Sequence, residues 1–147
     1  FKVGRPQART VVLRAANKMA VTLDIHTDLH SAKVKELRAT PFAALHVWDA
    51  SAHLQLRLEA HVTLLTGPDV AAIWESVPVA SRLSYGSDPA PGQPIAKALD
   101  YTKGADQASF AILRLAVETV DALNLGQQHR RARFNRDDNW AGMWLAP

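Results

Sequence analysis

Between His53 and Leu65 the chain alternates without a break. Leu54, Leu56, Leu58, Ala60, Val62 and Leu64 take one set of positions, and His53, Gln55, Arg57, Glu59, His61 and Thr63 take the other. A period of two places those sets on opposite faces of an extended strand. Such a strand holds only within a sheet that buries its apolar side, so the chain is committed to a β architecture with one dry face. At 147 residues, 48% hydrophobic and 21% charged, it is long enough for one sizeable core and is expected to form a single domain over 1–147. The absence of Cys removes disulfide frameworks, thiolate metal sites and cysteine nucleophiles together.

Other segments support a mainly β reading. Arg9-Thr-Val-Val-Leu-Arg14 and Met19–Ile25 form a predicted hairpin across the turn Ala15–Lys18. Ser31–Ala39 is a predicted helix, with Ser31 able to cap it, Val34 and Leu37 on one face, and Pro41 as its stop. Phe42–Trp48 is apolar enough for an interior strand. Gly67-Pro68 ends the alternating strand, and Asp69 caps a helix carrying Val70, Ile73, Trp74 and Val77 at helical spacing. Residues 85–97 hold three prolines and two glycines and are predicted to form a loop. Ala108–Glu118 is a further strand, and His129–Asn135 with Trp140–Leu145 form a closing hairpin. The order of elements predicts an antiparallel β-barrel with small helices plugging its gaps.

The formal charge is +3, from 17 Lys and Arg against 14 Asp and Glu. The basic residues gather in three stretches, Lys2–Arg14, Lys33–Arg38 and His129–Arg136. They either converge on one small anion or line solvated strand edges. A metal site is not indicated. His53 and His61 share a strand face but stand roughly 26 Å apart along it, and His26 and His30 precede the helix. No nucleophile elbow, phosphate-cradling glycine loop or dinucleotide fingerprint is present. No apolar run approaches the ~20 residues that span a bilayer, so the expected compartment is the cytoplasm. The chain starts at Phe1, which leaves room for a leading segment ahead of it.

One local constellation carries chemistry. Lys33 lies in the first turn of its predicted helix, where the helix dipole disfavours a cation. An anion at that helix end would account for it, with the Thr27 and Ser31 hydroxyls as further donors and Arg9 and Arg14 as bidentate partners. The alternative is a lysine whose head group sits in solvent.

Taken in order, these pieces resemble the pyridoxamine-5′-phosphate oxidase family and its wider group of FMN-binding split barrels. The resemblance is carried by Arg9-Thr-Val-Val-Leu-Arg14, Thr27 with Ser31-x-Lys33, and Gln55-x-Arg57. Towards the C-terminus it continues through Val120-Asp121-x-Leu123, His129-Arg-Arg-Ala-Arg133, Trp140 and the closing Leu145-Ala-Pro147. It implies an antiparallel split β-barrel, bound FMN, and a homodimer with two flavin sites at the subunit interface. The implied flavin residues are Arg9, Thr10, Val11, Val12, Leu13, Arg14, His26, Thr27, Ser31, Lys33, Gln55 and Arg133. Ala32 and Leu123 stand where the family has an arginine and a tryptophan. Where the oxidase holds its substrate phosphate with Tyr, Arg and Ser, this chain offers Trp74, Pro78 and Arg82. His129 and Arg131 are the residues expected to meet an anionic substrate.

The resemblance thus implies an FMN-dependent oxidoreductase with an altered substrate site, in which the cofactor carries the chemistry. A non-catalytic flavin binder or sensor is the alternative. A small barrel binding anions or nucleic acid is a third reading, weakened because no aromatics interleave with the basic run to make a stacking platform.

Overall fold

The computed structural model describes residues 5–147; Lys2, grouped above with the first basic stretch, lies outside the described residues. The chain runs β1 (Leu13–Asn17), β2 (Thr22–Asp28), α1 (Ala32–Ala39), β3 (Phe42–Asp49) and β4 (Leu54–Leu65). It continues through α2 (Ala71–Ser76), α3 (Val79–Arg82), β5 (Phe110–Asn124), β6 (Arg130–Asn135) and β7 (Met143–Leu145).

The sheet is organised by β5, which pairs antiparallel with β4 along its length. Its other edge is shared, with β2 against Phe110–Ala116 and β6 against Thr119–Asn124. The path is β1-β2-β5-β4-β3, with β6 and β7 continuing from β5. The mainly antiparallel β architecture with a few small helices is as expected, but no ladder among the described residues joins β3 to β1 or β7, so the sheet is open where a barrel was predicted.

The start of β5, Phe110–Leu113, is buried on both faces, as its unbroken apolar run requires. Leu113 and Leu115 pack with Ile25, Ala60 and Val62 beneath Val34 of α1. Phe110 and Ile112, both 0% exposed, pack with Val70, Trp74, Val77 and Tyr85. The Val70–Val77 stripe thus packs in the core.

At Glu118 one extra residue enters β5: Thr119 pairs with Glu59, but Val117 pairs with Ala60. This bulge reverses which alternate residues face which side. Before it, Arg114 and Ala116 share the polar face of β4; after it, Thr119, Asp121 and Leu123 do. The freed backbone is satisfied, since the Val117 amide donates to the Val21 carbonyl and Arg136 Nε donates to the Val117 carbonyl at 2.8 Å.

Several predicted boundaries move. Ladder pairing in β1 begins at Leu13, so Arg9–Val12 lies ahead of the first rung and outside the strand. Phe42–Asp49 is an edge strand pairing only with β4 and leaving Phe42, Val47 and Trp48 exposed, not an interior strand. Trp140 lies outside β7 in a left-handed conformation, so it shares no strand face with Trp144, which is 77% exposed. The predicted loop extends past residue 97 to 106, closed at its neck by bridges Tyr85–Ala105 and Asp88–Thr102. Among the described residues no helix is long and apolar enough to cross a membrane, and no group of three His, Asp or Glu could hold an ion.

Candidate functional site

A cleft of about 340 Å³ opens where the Thr10–Arg14 segment passes the end of β2 and the start of α1. Thr10, Val11, Val12 and Arg14 form one wall; His26, Thr27, Ser31 and Lys33 form another. A recess of about 210 Å³ adjoins it, bounded by Arg9, Ser31 and Lys33 on one side and Pro91 and Gly92 on the other. Leu13 belongs to neither wall; it pairs with Ile25 and is exposed.

Lys33 is the centre of this site. Its Nζ donates to Thr27 Oγ1 at 2.9 Å and to Ser31 Oγ at 3.4 Å. Among the described residues no carboxylate stands at ion-pair distance from it. Burial holds its pKa below the usual lysine value, the Arg9 charge adds to that, and Asp28 and Glu36 oppose it. Ser31 occupies the N-cap of α1, yet its hydroxyl makes no cap bond and faces Thr27 and Lys33 instead. A half-buried ammonium beside two buried hydroxyls at a helix start is a seat for an anion. Arg9 stands nearby, its Nη2 on Glu36 Oε2 at 2.6 Å.

The inner end of the cleft is less basic. His26 packs edge-on against Phe110, ring centroids 5.0 Å apart. Burial, and then the Arg14 charge, lower its pKa, which favours the neutral imidazole. Asp28 is buried and fixes the cleft's corner, accepting from the His30 amide at 2.7 Å and from the Gly86 amide at 2.8 Å. That second bond anchors the 85–106 loop, whose Tyr85 and Pro91, with Ser84 just ahead of it, line the cleft. Burial raises the pKa of Tyr85, and the neighbouring Arg14 opposes the shift.

Gln55 and Arg133 are elsewhere. Thr27 pairs with Ala111, whereas Arg133 pairs with Asp121 and Gln55 with Leu123. Ten residues of β5 separate Ala111 from Asp121, or roughly 30 Å of strand. There Asp121 accepts from Arg131 Nε at 3.0 Å and Nη2 at 2.8 Å, and from Arg133 Nη2 at 3.4 Å. The Arg131 hydrogen bonds are the main reason its carboxyl sits below the usual carboxylate range. Arg133 Nε is buried without an acceptor. His129 is exposed ahead of β6. One chain therefore carries two separate clusters, the Lys33 ammonium with the Thr27 and Ser31 hydroxyls, and the Asp121 carboxylate with its guanidinium donors beside Gln55.

The Trp74, Pro78 and Arg82 trio does not enter the cleft. Trp74 packs against Phe110 and Tyr85. Arg82 lies over the Trp74 ring and donates to the Val77 and Glu75 carbonyls. Asp121, Tyr85 and Asp28 were not anticipated as site residues. A signal for Asp121 does exist: the apolar phase slips from Leu113, Leu115 and Val117 to Val120 and Ala122, which marks a bulge and predicts that Asp121 turns to the arginine face.

FMN suits these groups, because a phosphate matches the Lys33 seat and a rim of ring carbonyls and nitrogens matches the orphaned Arg133 Nε. Comparison with known proteins agrees. The family described as pyridoxamine 5′-phosphate oxidase, FMN-binding domain, matches residues 2–66. The chain is 30% identical over 142 residues to pyridoxine/pyridoxamine 5′-phosphate oxidase 2 of Arabidopsis thaliana, covering 86% of this chain and 71% of that protein. It is 28% identical over 144 residues to the pyridoxine/pyridoxamine 5′-phosphate oxidase of a Cyanothece strain, covering 98% of this chain but 58% of that protein's length. A pyridoxamine 5′-phosphate oxidase-related, FMN binding protein from Nostoc punctiforme superposes with a TM-score of 0.82 at 26% identity, over 99% of this chain and 83% of that one. PhzG of Burkholderia lata, solved with tetrahydrophenazine-1-carboxylic acid, shares the fold at a TM-score of 0.77 and 17% identity, over 99% and 78%. The chain belongs to the pyridoxamine 5′-phosphate oxidase family and carries its FMN-binding domain.

Proposed function

We propose that the chain is an FMN-dependent oxidoreductase acting as a homodimer. Each cofactor lies between the Arg9–Lys33 cleft of one copy and the Gln55–Arg133 face of the other. The observation that carries this reading is the Lys33 ammonium, held by two hydroxyls in a cleft with no carboxylate at ion-pair distance among the described residues. The roughly 30 Å between the half-sites supports a second copy, because one flavin nucleotide cannot bridge them along a single strand.

When bound, FMN supplies hydride or electron transfer through its ring system. The side chains bind and orient. Lys33, Thr27, Ser31 and Arg9 hold the phosphate, Thr10, Val11, Val12, Arg14 and His26 line its approach, and Gln55 and Arg133 offer hydrogen bonds to the ring. Ser84, Tyr85 and Pro91 complete the lining of the cleft.

The substrate differs from the vitamin B6 phosphates named for the relatives. Trp74 is buried, and Arg82 Nε and Nη2 donate to the Val77 and Glu75 carbonyls, so that trio makes a poor phosphate clamp. Loss of such a charged pair is worth about 1.5–3 kcal/mol per hydrogen bond. The deciding experiment is a visible spectrum and FMN titration of the purified protein, then an anaerobic screen of candidate substrates for flavin bleaching. A yellow protein that some small molecule bleaches is expected. A protein that stays colourless and takes up no added FMN would refute the reading, and one that binds FMN but is never bleached would leave a flavin binder without turnover.

A further inference from the structure

On the arginine face of the sheet one residue is dry where its neighbours are wet. Asp121 is 3% exposed, while Arg57, Arg131 and Arg133 around it remain partly open. The ladder explains their closeness: Asp121 is directly across from Arg57 on one side and Arg133 on the other, with Arg131 on the diagonal. Both carboxylate oxygens are occupied. Arg131 takes them two-point, Arg133 adds a bond at 3.4 Å, and Arg57 stands at 3.6 Å.

One arginine suffices to satisfy a buried carboxylate. The second and third add mutual repulsion and leave the group with two uncompensated positive charges. Stability alone gives no reason for that excess, since a buried ion pair is often no better than apolar packing. A cationic excess beside a buried guanidinium N–H that has no acceptor is what an electron-rich ligand would complete.

Resting on the FMN site described above, we propose that Asp121 is a positioning residue: braced two-point by Arg131, it fixes the Arg133 guanidinium in the orientation that meets the flavin ring. This runs against simple charge counting. A carboxylate near an anionic cofactor is repulsive, so neutralising it should tighten binding. A positioning role predicts the reverse.

The test titrates wild type, Asp121→Asn and Lys33→Ala with FMN and with riboflavin, which lacks the phosphate, and records the spectrum of the bound flavin. Asp121→Asn is expected to weaken both ligands by the same factor, about tenfold or more, and to move the bound-flavin absorption towards that of free flavin. Lys33→Ala is expected to weaken FMN alone. Unchanged or tighter binding by Asp121→Asn overturns the proposal, as does a loss confined to FMN. Wild type that binds neither flavin overturns the FMN reading and this proposal together. If Asp121→Asn does not fold, Arg131→Lys serves in its place, because it keeps the charge but not the two-point contact. It should weaken both flavins equally, and unaltered binding by it overturns the proposal.

Discussion

Lys33 shows how far the chemistry of one side chain reaches and where it stops. A lysine in the first turn of a helix is unfavourable, and that conflict points to an anion from the sequence alone. Which groups share the anion depends on distances that the sequence does not contain. Ser31, placed to cap α1, has its hydroxyl turned to the Lys33 ammonium instead. The lowered Lys33 pKa has a consequence with a definite sign. Because folding disfavours the charged form, apoprotein stability should rise as pH climbs from the folded pKa towards the ordinary lysine value. FMN affinity should fall over the same interval, as the phosphate loses its cation. Lys33→Arg, which stays charged, should flatten that decline, whereas Lys33→Ala should weaken FMN by roughly ten- to hundred-fold at neutral pH. Isothermal titration across alkaline pH checks both, and an affinity that is level with pH in the wild type would remove Lys33 from the phosphate seat.

At the scale of elements, the alternating strand and the α1 helix were legible because each is a local periodic pattern with its own stop signal. The β5 strand was legible only in part. Its apolar first half and the phase slip that marks the bulge are in the sequence, but the run to Asn124 and the sharing of one edge by β2 and β6 depend on long-range pairing. The 85–106 loop was recognisable from its prolines and glycines, whereas its neck was not. There Gly86 has φ +101°, and a Cβ at this position would lie 2.6 Å from Asp106 Cβ. Its amide also donates to Asp28, tying the neck to the cleft corner. Gly86→Ala should therefore destabilise the protein by about 1–3 kcal/mol, read as a lower melting temperature, with weaker FMN binding as the cleft wall shifts. A melting temperature equal to that of wild type would show the neck to be more pliant than its geometry implies.

For the whole molecule, the separation of the two clusters along β5 makes the proposed dimer testable in a way that neither cluster is alone. Light scattering should return twice the chain mass. Mixing Lys33→Ala copies with Arg133→Ala copies and letting them exchange should restore FMN binding to about a quarter of the sites. Half the dimers are then mixed, and each mixed dimer has one intact site. No recovery, from variants that each still dimerise, would place both half-sites in one chain's own pocket. Local chemistry made the cationic, hydroxyl and apolar residue sets readable in order along the chain, because periodicity and charge conflict act over a few residues. Where those sets end up was decided by the tertiary structure. The pairing of β5 with three strands and its single inserted residue put Asp121 among the arginines and held them far from Lys33, because strand register is a long-range property that short stretches of sequence do not carry.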